Sequence, residues 1–192
     1  MARRTADDAE QTRQAIVGAA HDLFAAHGFA ATSTAAVVEA AGVTRGALYH
    51  HFTDKTGLFR AVFERLETEL NETIIASALA QPDARDAFVA GCGTMLDFMV
   101  RPDYHQIAVV DAPAVLGSSV WHAIDYTTGL LTLQAGVRAL EKAGYLRVPN
   151  TPALAVAVFG ALTEAGIVLS RAGEGTPTRD ELLDAVVSLV CR

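Results

Sequence analysis

Apolar positions recur at helical spacing from Gln11 onwards, and the alternation that marks a half-buried strand is nearly absent beyond a few residues. The pattern predicts an all-α protein. Ile16, Ala20, Leu23, Phe24 and His27 trace the inner stripe of a first helix, and Gly28 is placed to stop it. The Thr32-Ser33-Thr34 hydroxyls can cap a short helix over 35–41 that ends at Gly42. A second short helix follows over 44–52, and Thr53-Asp54 caps a long one whose Leu58, Val62, Leu66 and Leu70 keep one face to about Leu79. Beyond Pro82, helices are predicted over 84–100, 104–116 with a bend near Pro113, 120–146, 152–171 and 178–191. The sum is about nine helices, arranged as an N-terminal domain over 1–57 and a larger helical domain over 58–192.

Within this pattern, 33–52 has helix-turn-helix spacing: a short helix, a tight turn and another short helix. Gly42 supplies the positive φ that the turn needs, and Val38, Val43 and Leu48 are expected to seal the angle between the helices. The outer face of the second helix carries Thr44, Arg45, Gly46, Tyr49, His50 and His51, and no acid. Arg45 is the candidate for base readout, because its planar fork matches a guanine edge. Gly46 weakens a helix by about 1 kcal/mol relative to alanine, which points to a backbone that closely approaches DNA. Tyr49, His50 and His51 can donate to phosphate oxygens. Lys55 places a cation in the first turn of the long helix, against the macrodipole, so a phosphate is expected there, and Thr34 is expected to act likewise at the start of its own helix. Arg3 and Arg4 form a short basic arm that could follow the DNA backbone.

These residues carry a resemblance. The run from Thr34 to Phe59, with its Gly42-Val43 turn, its Leu48-Tyr49-His50-His51-Phe52 helix end and Lys55, resembles the TetR family of bacterial transcriptional regulators. The resemblance implies an all-helical repressor that binds a palindromic operator in double-stranded DNA as a homodimer, and whose larger domain binds a small-molecule effector that releases the DNA. Position by position, Thr34, Tyr49, His51 and Lys55 match backbone-contacting residues of the family, and Thr44, Arg45, Gly46 and His50 lie where it meets bases. The Asp111–Gly117 stretch, Trp121 and the Phe159–Glu164 stretch are similar to a common C-terminal type of the same family.

In the larger domain, the segment 152–171 is apolar nearly all round and the last helix carries a wide apolar stripe, so each is expected to pack on two sides. A homodimer pairing both helices with their symmetry mates through Leu154, Val158, Leu162, Leu182, Val186 and Leu189 accounts for this. Phe88, Cys92, Met95, Met99, Tyr104, Trp121, Tyr126 and Phe159 are candidates for an effector pocket, although each residue type at helical spacing is more often core. Asp111 is read as a structural bridge between helices, and Glu64, Glu67 and Glu72 as a solvated face.

Composition limits the alternatives. Of 192 residues 51% are apolar and 19% charged, ample for a core and an interface. Cys92 and Cys191 cannot build a disulfide framework, and the N-terminus has no apolar leader, so a cytoplasmic protein is expected. The uncharged run 148–163 contains Pro149 and Pro152 and is too short to span a bilayer, so no membrane partner is expected. No catalytic constellation, metal-ligand spacing or cofactor loop is present, which leaves a helical-bundle enzyme or metal protein, or a helix-turn-helix module for protein contacts, as lesser alternatives. The net charge of −7 is uneven: the first sixty residues carry six basic and six acidic side chains, so all the excess acid belongs to the remainder.

Overall fold

The computed structural model describes residues 2–171, 173 and 175–192, the side chains of 2–5 and 128 excepted. In chain order the α-helices are α1 (Ala2–Ala31), α2 (Thr34–Ala41), α3 (Arg45–His51), α4 (Lys55–Leu79), α5 (Ala84–Met99), α6 (Pro102–Tyr104), α7 (Ala112–Leu116), α8 (Ser118–Asp125), α9 (Leu131–Lys142), α10 (Pro152–Ser170) and α11 (Arg179–Val190). Two π-helical turns, His105–Asp111 and Tyr126–Leu130, interrupt the sixth and seventh predicted helices. Among the described residues the only β pairing is one bridge between Leu146 and Cys191. The all-α expectation holds.

Packing divides the chain into one unit of residues up to Leu66 together with Pro102–Trp121, and a second of Glu67–Arg101 with His122–Arg192. The segment 102–121, which the sequence pattern groups with the larger domain, thus packs with the N-terminal helices.

In the first unit, α1 begins at Ala2 rather than near Gln11, and the side chains of the proposed arm, Arg3 and Arg4, lie outside the described residues. Ile16, Val17, Ala20 and Phe24 form its buried stripe, whereas His27 is exposed. The chain turns at Gly28 with φ +76°, a conformation that L side chains rarely adopt, and a Cβ there would come 3.2 Å from Gln106 Nε2. That turn frees backbone groups, and side chains satisfy them. The Phe29 amide donates to Asp111 Oδ2 at 2.7 Å. The buried Thr32 hydroxyl lies 2.9 Å from the Gly28 carbonyl and 3.1 Å from that of Leu23. Lys55 Nζ donates to the Phe29 and Thr32 carbonyls at 2.8 and 3.0 Å and sits 4.1 Å from the centre of the Phe29 ring. Phe24, Phe29 and Phe59 pack together beneath, with centroid separations of 5.2 to 5.8 Å. Asp111 is therefore a structural bridge, as its sequence context suggests.

α2 and α3 follow from local chemistry. Ser33 caps α2 by accepting from the Ala36 amide, and Thr44 caps α3 by accepting from that of Ala47. Gly42 closes α2 at φ +65°, with its own amide on the Glu39 carbonyl and the Val43 amide on the Val38 carbonyl. Val37 and Leu48 are fully buried in the angle, while Val38 and Val43, the other two residues expected to seal it, are only half-buried.

In the second unit, Leu96, Met99, Leu140, Phe159 and Leu162 build the core. α10 meets α5 closely because Gly166 leaves room for the Met99 side chain, whose sulfur a Cβ would overlap. A capping box opens α11, Thr178 and Glu181 each accepting from the other's amide. Arg179 forks onto Asp97 of α5 with two hydrogen bonds.

Of the six residues expected at a dimer interface, three are buried within the chain itself. Val158, Leu162 and Val186 are 5% exposed or less and point into their own unit's core, whereas Leu154 and Leu182 are half-buried and Leu189 is 60% exposed. A helix that is apolar all round does not announce which side turns inward, and here the bulkier side chains fill the core. The outer face of α10 carries Ala153, Val156, Ala157 and Gly160 instead.

Candidate functional site

The first candidate surface is the outer side of α3. Thr44, Arg45, Gly46, Tyr49 and His50 are exposed there, His51 is half-buried, and Leu48 anchors the opposite side in the core. The Arg45 guanidinium carbon lies 5.5 Å from the Tyr49 ring centre, and the Tyr49 hydroxyl is 3.4 Å from Thr34 Oγ1 of α2. Both contacts favour the phenolate, first the Thr34 hydrogen bond and then Arg45, and hold the Tyr49 hydroxyl below the usual phenol range. Thr34, Arg45 and Tyr49 thus form one connected polar row across two helices. His50 and His51 meet edge to face at 5.2 Å, with His51 leaning on Phe52. A Cβ on Gly46 would find nothing closer than the Thr44 hydroxyl at 3.9 Å, so the chain's own packing does not require glycine there.

Lys55 behaves differently from the sequence expectation. Its conflict with the α4 dipole is answered inside the chain by the Phe29 and Thr32 carbonyls, and by the adjacent Asp54 carboxylate, which accepts from the Gly57 amide at 2.7 Å. A phosphate is not needed to explain the cation. Those carbonyls are 23 and 26 residues away in sequence, beyond the reach of a local reading. An ammonium has three donors, so one N–H remains for another acceptor.

The second candidate is a cavity of about 280 Å³ within the second unit, walled by α4, α5, α9, α10 and the residues around the second π turn. Phe88, Cys92, Met95 and Phe159 line it as expected. The other four candidates do not. Met99 fills the space at Gly166; Tyr104 and Trp121 pack in the first unit; Tyr126 is partly exposed and meets Phe159 edge to face at 5.2 Å. The second half of α4 supplies a wall that the sequence pattern does not suggest, through Leu70, Asn71 and Ile74. Glu67, expected on a solvated face, is 3% exposed and belongs to this wall. Its place between Phe63 and Leu70 on the apolar stripe is the available signal.

Polar chemistry in the cavity is sparse. Thr132 Oγ1 donates to Asn71 Oδ1. Burial pushes the Cys92 thiol up to about 12, so it stays neutral. Asp125, the last residue of α8, lines the cavity, and burial raises its carboxyl from 3.8 to about 6.

The raised pKa of Asp125 makes stability pH-dependent. Below about pH 4 the carboxyl is protonated whether folded or unfolded and burial carries no charge penalty; the penalty grows as pH rises towards 6 and is complete above it. Asp125→Asn should therefore raise unfolding stability at pH 8 by up to about 3 kcal/mol and change it little at pH 4. Urea unfolding at the two pH values checks this, and an equal effect at both would place the origin elsewhere.

Comparison with known proteins matches both halves of the chain. Residues 16–62 match "Bacterial regulatory proteins, tetR family", and residues 85–191, over half of the chain, match "Tetracyclin repressor-like, C-terminal domain". The HTH-type transcriptional regulator AcrR of Shigella flexneri is 46% identical over 72 residues, which are 38% of this chain and 34% of that protein. The matched stretch thus spans about a third of that relative's length. A TetR-family transcriptional regulator from Pectobacterium atrosepticum has a crystal structure with a TM-score of 0.76 and 30% identity, covering 95% of this chain and 92% of that one. RolR in complex with resorcinol shares the fold at a TM-score of 0.73 and 17% identity, covering 96% of this chain and 90% of that one. With its helix-turn-helix half and its helical C-terminal half both matched, the chain belongs to the TetR family of bacterial transcriptional regulators, not to an enzyme family.

Proposed function

We propose that this protein is a cytoplasmic repressor that binds a palindromic operator as a homodimer and lets go when a small molecule fills the cavity of its second unit. The observation that carries the DNA reading is the exposed, acid-free outer face of α3, with Arg45 at its start and the Thr34–Tyr49 pair beside it. In this reading Arg45, Thr44, Gly46 and His50 meet base edges, and Thr34, Tyr49 and His51 hold phosphates. Lys55 has a double role, holding the end of α1 while offering its remaining N–H to a phosphate. The functional division follows the sequence pattern, a reading head over 1–57 and a body over 58–192. Effector release requires that the ligand bind the DNA-incompetent state more tightly than the competent one. The resorcinol-bound relative supports a small-molecule effector, and the apolar cavity supplies the room.

The dimer reading rests on α10, which among the described residues is the one helix long and apolar enough to cross a bilayer and yet is for the most part not buried by the chain itself. A second copy covers that face as well as lipid would, and a two-fold dimer is what a palindromic site demands. Small residues at Ala153, Ala157 and Gly160 allow two such helices to approach, with Val156 and Leu189 of α11 as the apolar fill.

Two outcomes follow. On duplexes selected from a random pool, Arg45→Ala should lose about 1–3 kcal/mol at the preferred sequence and little on unrelated DNA, with the logarithm of wild-type affinity falling linearly with the logarithm of salt concentration. Fluorescence anisotropy checks both, and an unchanged sequence preference contradicts the assignment. In light scattering the wild type should run at dimer mass at micromolar concentration and Val156→Arg, at an exposed position, at monomer mass. A monomeric wild type removes the dimer.

A further inference from the structure

The walls of the cavity carry charge of one sign. Among the described residues its lining includes two carboxyl groups, Glu67 and Asp125, and no lysine, arginine or histidine. Glu67 has its own interactions within the chain. Asp125 has no hydrogen bond or ion pair to another described residue. The remaining polar side chains are committed or neutral, since Thr132 bonds Asn71 and Cys92 remains a thiol. Asp125 is therefore the principal polar handle the cavity offers a guest.

The Phe159 ring stands next to it. Phe88 and Phe159 line the cavity, and Gly129, one turn beyond Asp125, brings the two kinds of group together. A Cβ on Gly129 would lie 2.8 Å from the Phe159 ring and 3.8 Å from Asp125 Oδ1, so ring and carboxylate border the same point. Only a residue without a side chain keeps that point open. A neutral guest without an O–H or N–H donor would seal the carboxylate in an apolar space without compensation, and an anionic guest would add repulsion. A cation gains the ion pair and the ring faces together.

Resting on the reading of this cavity as the effector site, we propose that its ligand class is the small aromatic monocation, a quaternary or protonated nitrogen held between the Asp125 carboxylate and the Phe159 and Phe88 rings. The selection is electrostatic: size and apolar burial admit many ring compounds, and Asp125 sorts them by charge.

A matched set of probes tests this on the full chain by isothermal titration calorimetry at pH 8: N-methylquinolinium, its uncharged carbon isostere 1-methylnaphthalene, and the anion 1-naphthoate. The cation should bind at least about tenfold more tightly than the isostere, and the anion least tightly. Asp125→Asn should reduce cation affinity about tenfold and leave 1-methylnaphthalene unchanged. Circular dichroism verifies that the variant is folded, and the wild-type ranking decides the charge preference without it. If the isostere or the anion binds as tightly as the cation, or if the folded variant keeps the cation preference, the proposal is overturned while the cavity stands as a site for uncharged or anionic guests. If none of the three binds, the proposal and the reading of the cavity as an effector site fall together.

Discussion

The reading head depends on how the chain leaves α1. At Gly28 the helix breaks with a positive φ, and the break exposes an amide at Phe29 and carbonyls at Gly28, Phe29 and Thr32 in a half-buried place where water cannot serve them all. Three side chains from separate parts of the sequence answer: Asp111 takes the amide, Thr32 turns its hydroxyl back to Gly28, and Lys55 closes the last two carbonyls while lying on the Phe29 ring. Buried backbone groups left unmet would each cost about 1–3 kcal/mol, so this junction is a strong determinant of where α2 begins and where α4 starts. With both ends of the α2–α3 segment fixed, the Gly42 turn and the buried Val37 and Leu48 determine which side of α3 faces outward.

The overall charge of −7 would argue against a DNA partner if it were spread evenly, and it is not. The first sixty residues are balanced, α3 itself carries no acid, and the nearby Asp54 caps α4. What faces out is a small set of donors and one guanidinium. The second unit shows the inverse economy of charge: a cavity almost wholly apolar, with carboxyl groups in its wall. Each unit thus places few polar groups where they have no rival. In the proposed function, this placement lets one face select anions and one cavity select cations.

Much of the fold and of the α3 face is legible in the sequence because it is written locally. Helical periodicity, the Gly28 and Gly42 stops and the acid-free run from Thr44 to Phe52 are properties of a few adjacent residues, and they survive into the structure. What stays hidden depends on distant partners. Lys55 looks like a cation in search of a phosphate because Phe29 and Thr32 are far away in sequence. Glu67 looks solvated because helical spacing among glutamates is usually a surface signature, although its position between Phe63 and Leu70 places it inside. For α10, an even distribution of apolar residues carries no direction, and only packing against α5 separates the large inward side chains from the small outward ones. The π turn after Asp125 has no sequence signal that periodicity would register, so nothing in the pattern singles out the carboxylate beside it.

The most direct test of the junction is the stability of Lys55→Met, which keeps the aliphatic stem and removes every donor. In urea unfolding at neutral pH the variant should lose about 1–3 kcal/mol relative to the wild type, because the Phe29 and Thr32 carbonyls are left unmet. An unfolding midpoint equal to that of the wild type would contradict the structural role of the junction and return Lys55 to a purely DNA-facing one.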